Sequence, residues 1–443
     1  MVRDSVDNAN RQAIKDEFLQ NLSAFVPAHG NWIKDTNRYR FDTIQKILAD
    51  TQSNSIVQAD MKEYIAGSSV VHCKDGWEFL GSSVDSLLKG REGHAVHLAY
   101  YAELRAAMSF LASFGIGVFQ NRHCYVDASG TVVYRNANTS GTHDFVWQVL
   151  NRWSITPLRA TDLIELVEVD GRKLRDWISA DTAFLGPITA GNLAGNWMNL
   201  WSMDIQKLSD DRHIRNEGSY RPSNIDNTRR YLRNIENELD FVQNTWRSCE
   251  PNGSLRFGNL DLFLLREIIV KSYEGHFKNT PNNQELQHIY DRMIQSLGIS
   301  RNTYTEAFLT KRINVNRSSI MEMAELDRLD PNGRPRPTSV ISRAFMLLRI
   351  ATSAVRDSMN YSNITFPDIT SWTQYEGVKR GIWRPNEPIQ DPDILWLDVE
   401  ESNDSIQDFL SVNTITNYNV QHQIAPEINV LGQNERMFYW GIK

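Results

Sequence analysis

The chain has 443 residues, which corresponds to about two or three domains of ordinary size, each large enough to form a core without disulfides or metal ions. Hydrophobic residues make up 41% and charged residues 23%, and this balance excludes an intrinsically disordered chain. With 47 Lys and Arg against 54 Asp and Glu, the net charge is -7, which excludes a nucleic-acid binder that works by overall positive charge but allows a local basic groove.

Apolar residues at helical spacing predict amphipathic helices at residues 9–24 and 41–50. Residues 97–113 (HLAYYAELRAAMSFLAS) are apolar on most helical faces and are followed by Gly115, so we expect a helix that is buried inside a bundle. Residues 123–135 alternate around an Asp-Ala-Ser-Gly turn and predict a β-hairpin.

The rest of the chain is predicted to be mainly helical. A second β-like run is expected at residues 163–169. Core-facing helices are predicted at residues 192–208, 224–248, 259–273, 283–297 and 339–359. Pro, Gly and Asn at residues 328–337 indicate a linker or interhelix turn, where we place a domain boundary. In the last ~80 residues, prolines and short apolar runs at 394–399 and 437–442 predict loops with edge strands.

The cysteines and the lack of long apolar runs indicate a cytoplasmic protein. Cys73, Cys124 and Cys249 match neither a disulfide framework nor a metal knuckle, so we expect free thiols and a reducing compartment. No apolar run reaches ~18 residues, and the N-terminus has no signal-peptide pattern. We therefore expect no membrane association.

The specific signatures of common enzymes are absent. The sequence has no phosphate loop, dinucleotide fingerprint, HExxH, GxSxG or EF-hand motif, and its scattered histidines indicate no metal site. We expect neither a metal nor a cofactor. Asp162, Glu168, Asp170 and Lys173 come nearest to a carboxylate nuclease motif, but the Lys lies beyond a predicted turn, which favours a solvated strand end.

Residues 210–222 (DDRHIRNEGSYRP) form the most informative run. Residues 207–233 contain seven Lys or Arg against four Asp or Glu, a local cationic excess in an acidic protein. The run lies between two predicted helices, where backbone N–H groups and arginines would meet at a helix start and bind a phosphate. The alternative is that Arg212 and Arg215 pair with neighbouring acidic residues and cap the helix, the candidates being Asp210, Asp211 and Glu217.

Two short motifs resemble a known superfamily. The helix with AYYAELRAAMSFL (99–111) resembles a helix of HEPN-superfamily proteins in which an Ala-Tyr-Tyr-Ala element precedes an Ala-rich face. The RNEGSY run (215–220) is similar to the R-N-x-x-x-H signature at the head of their last core helix. The resemblance covers about residues 60–250. It implies a four-helix up-and-down bundle, often dimeric, with a metal-independent ribonuclease site in which the RNA 2′-hydroxyl attacks the adjacent phosphate.

The resemblance assigns roles to individual residues. Arg215 matches the signature Arg that stabilises the developing phosphorane charge, and Asn216 matches the polar residue that orients it. The position of the signature His is occupied by Tyr220, and a phenol with a pKa near ~10 is a poor general base at neutral pH. His213 or His97 would replace the missing base if the fold brings it near.

The sequence and the resemblance thus predict a mainly α protein that is built around a HEPN-like bundle, with a β-hairpin insertion at residues 123–135. The expected parts are N-terminal helices (1–60), the HEPN-like domain (61–250), a helical extension (251–330), and a C-terminal helix with a mixed α/β tail (338–443). We favour a component of a prokaryotic antiphage defence or toxin-antitoxin system, a homo-oligomer that binds RNA, nucleotide or a partner subunit without cleavage. The expected ligand-binding residues are Arg212, Arg221 and His97. An active metal-independent defence ribonuclease and a purely structural helical adaptor are the alternatives.

Overall fold

A computed structural model describes most of the chain, and within that part the protein is mainly helical, as predicted. The described residues are 1–134, 140–181, 203–220, 234–301, 303–312, 317–333, 335–387 and 389–443, with side chains except those of residues 157–158, 160–161 and 213–220.

The first part of the chain contains two long helices preceded by short ones. The short helices are α1 (Val2–Asn8), α2 (Arg11–Glu17), α3 (Ser23–His29) and α4 (Thr43–Gln52), with a π-helical segment at Phe18–Leu22. The long helices are α5 (Gln58–Leu88) and α6 (Glu92–Ser113). A three-stranded antiparallel sheet follows, formed by β1 (Ile116–Gly117), β2 (Cys124–Val126) and β3 (Val132–Tyr134). The predicted helices in this part and the predicted hairpin are confirmed.

The described residues in the middle of the chain are mainly helical, with one small hairpin. Its elements are α7 (Thr142–Ser154), α8 (Pro157–Leu166), β4 (Glu168–Val169), β5 (Arg172–Lys173), α9 (Leu174–Ser179), α10 (Ile205–Tyr220), α11 (Ile235–Ser248), α12 (Gly258–Phe277), α13 (Asn283–Ser296), α14 (Tyr304–Lys311) and α15 (Ser319–Glu325). Asp170 and Gly171 have φ of 51° and 68°, as a two-residue hairpin turn requires, so Lys173 lies beyond a turn as predicted. Residues 192–202 and 224–233 of the predicted helices lie outside the described residues.

The last part begins with α16 (Pro337–Tyr361), which is second in length only to α5 among the described helices. Its other elements are a 3₁₀ turn (Phe366–Ile369), α17 (Thr370–Lys379), a second 3₁₀ turn (Pro392–Ile394), α18 (Leu395–Val412), α19 (Asn417–His422), α20 (Ala425–Leu431) and α21 (Arg436–Gly441). The predicted strands at 394–399 and 437–442 are wrong, because both runs are helical. Met437 to Trp440 are buried on every side, and a short continuous apolar run cannot by itself distinguish a buried strand from a buried helix.

The β-like run predicted at residues 163–169 is mostly helical. Helix α8 continues to Leu166, and only Glu168 and Val169 pair as a strand. The alternation of apolar and polar residues that suggested a strand arises because α8 buries Leu163 and Leu166, three residues apart on one helical face.

Helix α6 lies at the centre of the molecule, packed against α5, α7, α10 and α16. Small residues allow the helices to approach closely. A Cβ atom at Gly76 of α5 would lie 3.4 Å from the carbonyl oxygen of Ala102 and 2.6 Å from Leu348. The burial predicted for residues 97–113 is confirmed, since most of α6 is buried. The division into four domains stays a prediction.

Helix α16 is long and apolar enough to cross a membrane by length and composition, but 94% of its most apolar window is buried inside the protein. It packs on α5 and α6, so its apolar character serves the core. The described residues 328–333 and 335–336 lie between α15 and this core helix, in agreement with the predicted interhelix turn. Cys73, Cys124 and Cys249 are free and buried.

Candidate functional site on helix α10

The basic run identified in the sequence lies on helix α10 and not at a helix start. The helix begins at Ile205, so Arg212 lies in its middle, where the backbone N–H groups are bonded within the helix. The predicted helix N-terminus at residues 210–222 is therefore wrong. Apolar periodicity ends at Leu208, but the helix continues because Asp211 is buried through an ion pair with Arg343, which periodicity cannot detect.

The two helices that carry the HEPN-like motifs are neighbours. Helix α10, with the RNEGSY run, packs directly against α6, with the AYYAELRAAMSFL run, and also contacts α7 and α16. The motifs are separated by more than a hundred residues in the sequence. Tertiary packing thus places any chemistry on α10 beside side chains from α6 and α7.

A buried ion cluster joins α6, α10 and α16. Arg343 donates from Nε and Nη2 to the two carboxylate oxygens of Asp211, both at 2.8 Å, and from Nη1 to the carbonyl oxygens of Ala324 and Leu326 at 3.2 and 2.9 Å. A carboxylate oxygen of Glu103 lies 3.9 Å from Arg343 Nε. The side chains of Glu103, Asp211 and Arg343 are 0–1% exposed. The cluster is inaccessible to a ligand, so its role is to hold the three helices together.

This cluster contains two carboxyl groups and one guanidinium. Burial, and after it the neighbouring Asp211, raise the pKa of Glu103 well above its usual value. Burial also raises the pKa of Asp211, although Arg343 opposes this shift. One carboxyl group therefore retains a proton in the folded protein at pH values where the unfolded chain would have lost it.

Arg212 occupies the more accessible side of α10. Its guanidinium donates to a carboxylate oxygen of Asp144, at the start of α7. The side chains of Arg212 and Asp144 are 36% and 50% exposed. The pair is thus a surface ion pair, which contributes little to stability and can open when another anion arrives. The sequence-based alternative expected Asp210, Asp211 or Glu217 as the partner, but the partner of Arg212 is on a different helix.

Aromatic rings and histidines lie beside this ion pair. His143, the neighbour of Asp144, has its Nδ1 2.7 Å from the hydroxyl of Tyr100, and the two rings stack with centroids 5.7 Å apart. On the same helix as Tyr100, His97 packs against Tyr101 with centroids 5.0 Å apart. We call Arg212, Asp144, His143, Tyr100, Tyr101 and His97 the α6–α7–α10 face. Tyr100 is buried beneath it, and the other three rings are partly exposed.

The remaining predicted site residues are only partly described. The backbone of His213, Arg215, Asn216 and Tyr220 belongs to α10, and their side chains lie outside the described residues, as does all of Arg221. Of the predicted ligand-binding residues, Arg212 and His97 lie on the α6–α7–α10 face. Whether Arg215 and Asn216 act together stays a prediction.

Sequence reasoning missed four residues of this region: Glu103, His143, Asp144 and Arg343. Glu103 carried a detectable signal, because an acidic residue within a predicted buried helix requires a buried partner. Its partner Arg343 lies 240 positions away, and no spacing rule connects them. His143 and Asp144 lie just after a predicted hairpin, with nothing in the sequence to place them beside Arg212.

The other charged residues at the start of α10 are also paired. Lys207 lies 3.1 Å from Asp327, and Asp210 lies 3.1 Å from Arg328. Among the residues that the structure describes, no group of three His, Cys, Asp or Glu side chains is placed to hold a metal ion. No family model, curated protein or solved structure matches this chain.

Proposed function

We propose that this protein is a HEPN-like component of a prokaryotic antiphage defence system that binds RNA or nucleotide through the α6–α7–α10 face without cleaving it. The observation that supports this proposal most is the packing of the two motif-bearing helices against each other, which gathers Arg212, two histidines and two tyrosines. A guanidinium suits phosphate oxygens, and the partly exposed rings of Tyr101, His97 and His143 suit unstacked bases. Tyr100 is buried, so its part is to hold His143 through their hydrogen bond.

We expect no cleavage because Tyr220 stands where the HEPN signature has a histidine, and a phenol is a poor general base at neutral pH. In this proposal Asp144 holds Arg212 in place until a phosphate takes over the guanidinium. Homo-oligomerisation and docking of a partner subunit of the same defence system belong to the proposal as further expectations.

A helical adaptor is the second candidate, and one observation favours it. Every charged side chain of α10 that the structure describes is in an ion pair with another element: Lys207, Asp210, Asp211 and Arg212. This arrangement is what a purely structural helix junction requires. The tryptophans do not favour an adaptor, because each described Trp is buried or, at Trp383, partly buried, and none forms an exposed interface patch.

Substituting the two partners of one ion pair separates these functions. Arg212→Ala and Asp144→Ala break the same ion pair. If the protein is an adaptor, each variant should lower the free energy of unfolding by the same small amount, less than about 1 kcal/mol, and neither should change RNA binding. If the face binds RNA, Arg212→Ala weakens binding about tenfold and lowers the salt dependence by about one phosphate contact. Asp144→Ala then strengthens binding, since it removes a competing carboxylate.

The measurement is fluorescence polarisation of a labelled single-stranded RNA at several salt concentrations, with ATP as a competitor. Arg384→Ala, which removes an exposed Arg paired with the exposed Glu387, is the control for loss of one positive charge. Equal RNA affinity in the wild-type protein and both variants of the pair would favour the adaptor.

Cleavage is tested in the same preparation with EDTA present. Tyr220→His restores the histidine of the HEPN signature, so metal-independent RNA cleavage gained by this variant would indicate a site that has lost its base. Cleavage by the wild-type protein in EDTA would instead show an active ribonuclease, and the non-cleaving proposal would be wrong.

A further inference from the structure

A polar cleft of about 760 Å³ opens between α2, the turn of the β2–β3 hairpin, α8, β5 and the end of α16. It has the size of a small-molecule site, and none of its lining residues belongs to the α6–α7–α10 face. Apart from Ala9 and Ala128, its lining consists of charged side chains, carboxamides and a hydroxyl group, which suits a ligand with several polar groups.

Three cations converge on one carboxylate inside this cleft. Arg11 Nη2 and Lys15 Nζ lie 2.5 and 2.8 Å from Asp357 Oδ2, and Lys173 Nζ lies 3.7 Å from Asp357 Oδ1. The side chains of Arg11, Lys15 and Asp357 are 11–16% exposed. One carboxylate neutralises only one of these charges, so the group around Asp357 carries a positive excess in a partly desolvated setting.

The other four acidic side chains of the cleft reduce this excess only in part. Three of them have an Arg partner of their own, and Asp127 is held by neutral backbone donors and keeps its negative charge. The pairs are Asp7 with Arg3, Asp127 with the backbone N–H groups of Ser129 and Thr131, Asp162 with Arg159, and Glu165 with Arg175. Lys173 also lies 3.5 Å from Glu165, beyond an ordinary hydrogen bond.

Arg11 and Lys173 have donor capacity that the protein leaves unused. Arg11 Nε is buried, with no hydrogen-bond partner among the described residues. Lys173 is 34% exposed and lies 3.5–3.7 Å from its two carboxylates, so its ammonium can turn toward a ligand at little cost. The Arg11–Asp357 ion pair can remain intact meanwhile, which avoids leaving a buried carboxylate without a partner.

We infer that this cleft binds a small organic phosphate, whose phosphate group is held by Lys15, Lys173 and Arg11. A phosphate monoester carries close to two negative charges at neutral pH and three acceptor oxygens, which matches the excess charge around Asp357. Asn8, Gln12 and Ser129 also line the cleft, and their carboxamide and hydroxyl oxygens can accept hydrogen bonds from sugar hydroxyls or from a base edge. The volume exceeds what inorganic phosphate alone would fill, so we expect an organic group on the phosphate.

The test is calorimetric titration of the full-length protein with AMP and ribose 5-phosphate at fixed ionic strength, with adenosine and ribose as phosphate-free probes. At least one phosphate ester should bind, and adenosine and ribose should not. Lys173→Gln should weaken the phosphate ester about tenfold or more, whereas Lys173→Arg should stay within about threefold of wild type. Lys173 is partly exposed and outside hydrogen-bond distance of its carboxylates, so these variants should fold normally, which thermal unfolding will verify.

Lys89→Gln is the matched control, because Lys89 is 28% exposed and pairs with Asp85 elsewhere on the surface. Binding of both phosphate esters would show that the sugar phosphate suffices. Binding of AMP without ribose 5-phosphate would show that the base contributes. Either result supports the site. Equal affinity in wild type and Lys173→Gln, equal weakening in Lys89→Gln, or no binding of either phosphate ester would overturn the inference.

Discussion

The buried carboxyl pair of Glu103 and Asp211 should make the stability of this protein depend on pH, and one substitution isolates the effect. Both groups face the single guanidinium of Arg343, and a side-chain hydrogen bond joins the two carboxyl groups, which requires a proton on one of them. Burial and the Asp211 carboxylate raise the pKa of Glu103 well above its usual value. The folded protein therefore holds a proton that an unfolded Glu releases near its ordinary pKa of about 4.3.

The sign of the effect follows from proton linkage. Because the folded state binds more protons than the unfolded state, the free energy of unfolding falls as pH rises above about 4.3, until the pKa of Glu103 in the folded protein is passed. The slope from one such group is up to about 1.4 kcal/mol per pH unit. Glu103→Gln replaces the protonated carboxyl by a neutral amide of similar shape. The variant should therefore gain stability relative to wild type by up to this amount for each unit of rising pH.

Urea unfolding of both proteins, followed by tryptophan fluorescence at several values between about pH 5 and pH 8, measures the difference directly. Taking the difference between variant and wild type cancels the contributions of other buried acids whose pKa burial raises, such as Glu17 and Glu435. Glu401→Gln, at an exposed position of α18, controls for the loss of one carboxyl group. A difference between Glu103→Gln and wild type that is constant across this pH range would refute the reasoning.

Two further predictions concern the same core. Arg343→Met leaves Asp211 buried without its bidentate partner and should lower the free energy of unfolding, measured in urea, by about 3–5 kcal/mol. A loss below about 1 kcal/mol would contradict a buried ion cluster. Gly67→Ala would place a Cβ atom against the carbonyl oxygen of Trp32 and should lower the free energy of unfolding by about 1–3 kcal/mol. Gly275 is a helical glycine with open space around it, so Gly275→Ala should leave the free energy of unfolding unchanged or raise it by up to about 1 kcal/mol. Thermal or urea unfolding measures both effects. Equal effects of the two Gly substitutions would show that helix propensity, and not close packing, sets the cost.

The sequence by itself determined the helical class and most long elements, because hydrophobic periodicity over many residues is a local property. Helix α6, the β2–β3 hairpin, and the helices α12, α13 and α16 follow directly from spacing and turn residues. The free state of the three cysteines also follows from their number and spacing. The tight turn before Lys173 was readable from its Asp-Gly pair, which tolerates positive φ.

Only the tertiary structure decided features that depend on contacts between distant residues. Residues 437–440 form a helix and not a strand. All four are buried, so the sequence shows no period there that could have distinguished the two. Helix α10 extends past Leu208, where the predicted helix ends, because Asp211 on this extension pairs with Arg343 more than 130 positions away. Tertiary packing also brings Asp144 to Arg212 and three cations to Asp357. No local pattern in the chain specifies which charges meet, so only the folded geometry sets these ion pairs.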